Sequence, residues 1–467
     1  MAIGTFKLPI SSATTTTTTS STWSRPADWL AMPTPGVQEV IGLMAVYDDD
    51  ANYVALQCTT AYTVDWGDGT ITNYNSNIVA SRQHVFSTLS SGTLTSDGFR
   101  QALVRITPQS GQNLTTVSFG IQNPTLAKNG FATGWLEFDI RTPNCIPSYS
   151  GSGNVVRYGR LEAITIRQIS TGSMANMFNN LNSLKSVYIE PTETSGSTAF
   201  NNMFLNCFSL EDVNLFDTSA GTNVSTMFQN CYNLQSVPQF NFSSSTNVAN
   251  IFNNCYSLTT VLAFTMGTDT TQMFVGCNSL VNVGTMSTSN VTNFSNTFQN
   301  CLSLTNVPLI NTSKGTNFTS MFAGCNSLTE IPLLNTASAS NMTGMFNGAQ
   351  SLLYLPALNT ANVTTLNQTF QNCTNLRELP ALSLPVCTVF SSWLANVTTL
   401  SKSNITGATR GHSYISNSLS QASIVTIFTN LGTASGAQTI QVSSNPGYLS
   451  LTAGERLIAT NKGWTIA

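Results

Sequence analysis

Apolar residues recur in this chain at a fixed interval, and the interval defines most of its fold. From residue 178 a Phe returns at 204, 228, 252, 274, 298, 322, 346 and 370, at spacings of 26, 24, 24, 22, 24, 24, 24 and 24 residues. With that Phe as position 0, apolar residues such as Val224, Val248, Phe294, Phe318 and Met342 stand at −4, and Leu stands at +6 in all nine copies. Val, Ile or Leu stands at +9, from Val187 to Leu379. Self-similarity at this period marks a solenoid, whose units bury their apolar sides against their neighbours. The −4, 0, +3 spacing predicts a short helix with one buried face. The L-x-x-V step after it predicts a short parallel strand, which Pro238, Pro308, Pro332, Pro356 and Pro380 end at +10, since Pro donates no ladder hydrogen bond. Nine strands stacked at about 4.8 Å predict an array on the order of 40–45 Å long.

Outside the array the pattern changes. Residues 36–110 alternate short apolar runs (Val40–Val46, Tyr53–Leu56, Ala102–Ile106) with turn clusters, which predicts a small β-domain. Residues 111–405 form the solenoid, with a degenerate start up to about residue 170 whose Leu114, Val117, Leu136, Phe138, Leu161, Ile164 and Ile166 mark strands. Residues 406–467 leave the period. Ile424, Ile427, Phe428 and Leu431 define an amphipathic helix, TIQVS a strand, Thr452-x-x-Glu455 a capping box opening a second helix, and KGWTIA a last strand. This region is expected to cover the open edge of the array. Residues 1–35, with the run Thr14–Thr19, read as an extended Thr-rich arm held by another chain or packed back on its own.

Composition narrows the function classes. Charged residues are 8% of the chain and the net charge is −3, so no basic patch exists for nucleic acid. Between Thr218 and Ser313 the single formally charged side chain is Asp269. The first residues carry no continuous apolar stretch of the secretory kind, and there is no run of 18 apolar residues; folding in a cytosol without membrane insertion is the expectation. Seven of the ten cysteines (207, 231, 255, 277, 301, 325, 373) stand at +3. They make a ladder and not paired spacings, and with no C-x-x-C and no nearby His they predict buried structural thiols, not a zinc site. No metal or cofactor is expected.

The array pattern T-N-V-x-x-M-F-x-x-C-x-S-L-x-x-V-P resembles the BspA-like leucine-rich repeat, known also from mycoplasma surface lipoproteins. Departures are Ala349 for Cys, Thr297 and Thr369 for the Met before Phe, and one copy two residues short. The segment YTVDWGDGT, with His84-Val85-Phe86 and ALVRI after it, resembles a PKD-type immunoglobulin-like domain, with Gly67 and Gly69 suited to positive φ. The longer stretch WSRPADWLAMPTPG…GLMAVYDDDANYVAL…YTVDWGDGT is similar to the N-terminal region of tailed-bacteriophage virion structural proteins. The expected fold class is mixed α/β: an all-β immunoglobulin/PKD-like domain, a leucine-rich-repeat solenoid with a parallel sheet, and a C-terminal α/β cap. The phage likeness implies a virion structural protein on the particle surface, assembled in the host cytoplasm, serving tail-type adhesion or capsid decoration. Its arm and PKD-like domain would meet other virion proteins, and a homo-oligomer fits the same picture. The alternative is a secreted or cell-surface adhesin of BspA type, which needs an export signal.

Catalytic chemistry has few candidates. Cys387 with His412 as a nucleophile pair, Asp48-Asp49-Asp50 with Asn52 as calcium ligands, and Glu211 with Asp212 as a carboxylate pair are each weaker than their structural readings, so an enzyme is not expected. The N-x-S/T triplets at Asn223, Asn290, Asn317, Asn341 and Asn362 follow from the repeat, and no glycosylation is expected. The candidate partner-binding surface is the sheet face at +7 and +8: Gln235, Ser236, Thr259, Thr260, Asn282, Thr305, Asn306, Thr329, Glu330, Tyr354, Arg377 and Glu378. Its neutral hydroxyl and amide chemistry fits a host-surface glycan or protein better than a nucleic acid.

Overall fold

Positions −2 and +2 of each copy, which carry Asn, Gly or another polar residue, decide the local structure. The computed structural model describes residues 23–46, 56–78, 84, 86, 89, 93–119, 134–149, 160–265, 269–415 and 417–467; the Thr14–Thr19 run and the Asp48–Asn52 cluster lie outside these. At +2, Asn180, Asn206, Asn230, Asn254, Asn300 and Asn372 have φ between 60° and 65°, and Gly276, Gly324 and Gly348 take the same left-handed place. At −2, Asn176, Asn202, Thr226, Asn250, Gln272, Asn296, Ser320 and Gln368 do so as well. Left-handed backbone costs most L-residues about 1–2 kcal/mol, and Gly and Asn are the residues that visit it routinely.

The helix expected from the −4, 0, +3 spacing is therefore not formed. Consecutive tight turns make that face instead. Cys207 N donates to Phe204 O (3.1 Å) and Met203 N to Phe200 O (3.2 Å), closing turns within a rung. The alternate groups reach outward: Asn202 N to Ser225 O (3.1 Å), Phe204 N to Met227 O (2.8 Å) and Asn206 N to Gln229 O (3.0 Å). Half of the N–H groups thus close their own turn and half bind the next rung, which pairs most of the buried donors. A helix would have used them all internally and left the rungs unlinked.

The inside of the array is a set of side-chain ladders. The Phe rings stack from Phe178 to Phe370 at centroid separations of 5.2–5.8 Å, with Tyr149 before them and Trp393 edge-on after them. The +6 Leu of every copy is fully buried. The thiol at +3 is a hydrogen-bond donor: Cys231 Sγ lies 3.2 Å from Phe204 O and Cys301 Sγ 3.1 Å from Phe274 O, each in the preceding rung. The N-T turn has the same logic. Thr218, Thr288, Thr312, Thr336 and Thr360 donate their buried hydroxyls to a carbonyl of the following rung at 2.8–2.9 Å. The solenoid has about twelve turns.

The first strands are β1 (Glu39–Val46), β2 (Gln57–Cys58), β3 (Tyr62–Asp65), β4 (Ile71–Tyr74), β5 (Arg100–Pro108), β6 (Val117–Ser118), β7 (Trp135–Thr142), β8 (Ala163–Ile169), β9 (Ser186–Ile189) and β10 (Asp212–Val213). One eight-stranded sheet runs β10-β9-β8-β7-β1-β5-β3-β4. Pairing is parallel from β7 to β10, as a solenoid requires, and antiparallel from β7 through β1 to β4. Of the runs read from residues 36–110, Val40–Val46 and Ala102–Ile106 therefore share a sheet with the array, across the expected boundary at 110, while residues 53–55 of the third lie outside the described residues. At the β3–β4 turn Gly67 has φ +74°, and any Cβ there would strike the Leu103 carbonyl. The His84 ring stacks on Trp66 (4.3 Å), and its Nε2 lies 2.8 Å from Asp68 Oδ2, which locks the turn.

Two α-helices occur among the described residues, and both lie in the C-terminal region. α1 (Gln421–Asn430) starts at Ser420, whose side chain accepts from Ser423 N, and α2 (Ala453–Thr460) carries the Thr452/Glu455 capping box. Strands His412–Ser413, Gln438–Gln441 and Trp464–Ile466 pair in parallel beside them.

Candidate functional site

The repeat places its variable residues on one surface, between two buried positions of each rung. Leu at +6 and, at nearly every rung, the residue at +9 are buried, and the two residues between them, +7 and +8, bow outward onto the open sheet face. Backbone bonds join the +7 residues in a column: Thr259 N to Gln235 O (3.0 Å), Val281 N to Thr259 O (2.9 Å), Arg377 N to Leu353 O (3.3 Å). At +8, Ser236, Thr260, Asn282 and Asn306 are successive bridge partners. Ser236, Thr259, Thr260, Asn282, Thr305, Asn306, Thr329, Glu330, Tyr354 and Arg377 are exposed; Gln235 and Glu378 are half-buried. The twelve residues thus lie on one continuous face, and between Gln235 and Asn306 none of them is ionisable.

Charge collects at both ends of this face, largely as ion pairs. At the N-terminal end Glu39 pairs with Arg105 (2.8 Å), Asp139 with Arg167 (2.7 Å) and Glu162 with Lys185 (3.0 Å); at the other end Glu378 pairs with Lys402 (2.7 Å). The Lys402 ammonium holds the half-buried Glu378 carboxyl below its ordinary range. Burial pushes Asp139 up despite Arg167.

A strap covers the N-terminal part of the same face. Arg25 Nε donates to Glu137 (2.6 Å), Ser96 N and Oγ donate to Asp28 (2.7 and 2.8 Å), and Trp29 packs with Leu43, Ala45, Phe99 and Leu136 in a second small core. The strap reaches as far as Trp23, whose Nε1 donates to Glu162 (3.2 Å) beside Lys185. Among the described residues the sheet is thus covered from β5 to β8 and bare beyond. The pattern of residues 23–33 gave no period to read, and only its paired Trp23 and Trp29 hinted at a packed segment.

The other sequence candidates are not assembled as sites. Cys387 Sγ faces Val389 O at 3.8 Å, and His412 Nδ1 donates to Arg410 O (2.9 Å), so each is engaged elsewhere. Glu211 and Asp212 are half-buried neighbours at the start of β10, and desolvation raises Asp212. No group of three or more potential metal ligands occurs among the described residues. Beside the copy that is two residues short lies an open cleft of about 650 Å³, lined by Gln239, Phe240, Asn241, Ser243, Ala263, Thr285, Met286 and Ser287.

All ten cysteines are free and buried, and burial pushes the thiols of Cys325 and Cys373 up to about 12. A thiol reagent reacts through the thiolate. The expected result is near-zero labelling of the folded chain by a disulfide reagent at pH 8 and labelling of all ten after denaturation. Rapid labelling of a ladder Cys in the folded chain would contradict this reading.

Comparison with known proteins bears on the same region. Residues 160–263 and 268–381 match a family described as a Mycoplasma protein of unknown function, DUF285. No curated protein matches the chain. Among solved structures, a leucine-rich repeat protein from Eubacterium ventriosum is 14% identical, with 63% of this chain and 90% of that one covered and a TM-score of 0.33. A leucine-rich repeat protein from Bacteroides ovatus is 14% identical, with 77% and 97% covered and a TM-score of 0.29. A leucine rich cell surface protein from Faecalibacterium prausnitzii is 15% identical, with 68% and 95% covered and a TM-score of 0.24. The family match falls on the regular copies of the array, which stack as the parallel rungs of a solenoid.

Proposed function

We propose that the chain is a non-catalytic adhesive protein of BspA type, presented at a cell surface, whose bare sheet face binds an uncharged, hydroxyl-rich glycan. The observation that carries this reading is the run of exposed Thr, Asn and Ser side chains at +7 and +8, bounded at both ends by ion pairs. Such side chains offer donors and acceptors at the 4.8 Å rung spacing without a field that would select a charged ligand. The test is a glycan array probed with the full chain and with a Thr259→Lys, Thr260→Lys, Thr305→Lys, Asn306→Lys variant. All four positions are exposed, so the variant should keep the melting temperature and lose about tenfold or more in binding. Equal binding by both proteins would move recognition off this face, and binding only to proteins would replace the glycan.

A second reading is favoured by the likeness of the Trp23–Thr70 stretch to tailed-phage virion proteins. In it the arm and the N-terminal strands attach the chain to other virion proteins, and the array projects from the particle for host attachment or decoration. A mass-spectrometric inventory of purified virions from a phage encoding this chain decides it; virions without the chain exclude it.

A further inference from the structure

Each rung binds the next by the N–H groups at −2, 0 and +2, most also by that at −4, and among the described residues the last rung has no such partner. Leu366, Gln368, Phe370 and Asn372 donate to the carbonyls of Val389, Ser391, Trp393 and Ala395 at 2.8–2.9 Å. The same positions one rung later are Phe390, Ser392, Leu394 and Asn396, and their N–H groups donate to no acceptor among the described residues. The intermediate groups are used as elsewhere: Trp393 N bonds to Phe390 O (3.3 Å) and Ala395 N to Ser392 O (3.2 Å). Ser392 (φ 51°) and Asn396 (φ 64°) keep the left-handed turns of the array. The conformation of a rung is therefore complete, and only its partner is missing.

The C-terminal region covers the inner side of this rung, where His412 packs on Phe390 and Trp393 and Trp393 Nε1 donates to Ser413 O (2.9 Å), and it leaves a cleft of about 510 Å³ between itself and the turns of residues 392–396. Ser392, Trp393, Leu394, Asn396, Ile415 and Gln441 line it, Ile415 is 51% exposed, and none of the described lining residues is ionisable. The outer Asn ladder also ends here. Asn206, Asn230 and Asn254 each donate their amide to the Asn one rung before, and Asn396 does the same to Asn372 (2.7 Å). The Asn396 side-chain oxygen then stands where a following rung would donate.

We propose that this edge is a docking site for an uncharged peptide segment of another protein, which joins the array as one more rung. The requirements identify the occupant's chemistry. A row of backbone donors at every second residue needs acceptors of the same spacing, which a polypeptide's alternate carbonyls supply and a compact anion does not. The occupant also brings an N–H or amide donor for Asn396, and a cleft without ionisable groups selects a neutral segment.

The experiment is hydrogen exchange of the full chain, resolved to single amides by fragmentation, with and without a synthetic peptide of residues 340–352. That peptide is a turn sequence of the array that lacks Cys. In the free chain the amides of Ser392, Leu394 and Asn396 should exchange about 100-fold faster than those of Gln368, Phe370 and Asn372. Saturating peptide should slow the three edge amides about tenfold or more, a scrambled peptide should not, and Ile415→Arg should abolish the effect. Equal protection of both rungs in the free chain overturns the proposal, as does the absence of peptide protection. Protection that grows with protein concentration alone assigns the edge to a second copy and also overturns it. The four-Lys sheet-face variant should leave these amides unchanged, so failure here and failure of glycan binding are separate results.

Discussion

Replacing Phe274 by Ala should cost about 3–5 kcal/mol, the largest effect expected of a single change in the array. The ring is fully buried and lies between Phe252 (5.6 Å) and Phe298 (5.5 Å), nearly parallel to both. A cavity there cannot collapse easily. Phe252 N is bonded to Met273 O (3.1 Å) and Phe274 N to Thr297 O (2.9 Å), so the backbone holds the rungs apart at their present spacing. Stability in a solenoid is a sum of unit and nearest-neighbour terms, and removing one interface term uncouples the two halves. Guanidinium unfolding followed by circular dichroism and by Trp fluorescence should therefore change from one transition to two. Phe274→Leu, which keeps most of the volume, should cost about 1.5 kcal/mol or less and keep one transition. A single transition and a loss under about 1 kcal/mol for the Ala variant would show that the Phe stack does not couple the rungs.

Acid should loosen the C-terminal region through His412. Its ring is buried among Phe390, Trp393, Tyr414 and Trp464, at centroid separations of 5.1–5.9 Å. Nδ1 donates to Arg410 O, and Nε2 is buried without a partner. Tyr414 turns its phenol to Ser403 (3.0 Å) and burial keeps it protonated, so no charge in the box offsets an imidazolium. Burial lowers His412 from 6.5 to about 4. The unfolded chain then binds more protons between these values, so stability is complete above pH 6.5 and falls as pH drops toward 4, by up to about 3 kcal/mol. Denaturant melts at pH 7, 5.5 and 4.5 should show this slope, and His412→Phe should flatten it relative to the wild type while the carboxylates titrate alike in both. Parallel slopes in the two proteins would acquit His412.

The period of the array was legible because burial repeats at fixed offsets: −4, 0, +6 and +9 are inside at nearly every rung. The conformation between those positions was not. A spacing of 3 and 4 suits a helix and also suits consecutive turns, and the residues that decide are Asn202, Asn206 and their equivalents, whose left-handed φ depends on the neighbouring rung accepting their N–H groups. The sheet face was legible for the converse reason, since +7 and +8 are the variable residues between two inward ones. The strap and the union of the two sheets were hidden by distance in sequence: Met44 pairs with Trp135, and Arg25 reaches Glu137. Local patterns carry no information about such partners.

The shared sheet also has a mechanical meaning. β7 is bonded to β1 on one side and to β8 on the other, so the N-terminal strands and the rungs belong to one sheet. A pull exerted by something held on the bare face would load seven strand-to-strand ladders in series before reaching β4. With no joint along that path to yield first, the array would behave as a stiff lever, and tension at its far end would arrive at the N-terminal strands as torque, not as slack being taken up.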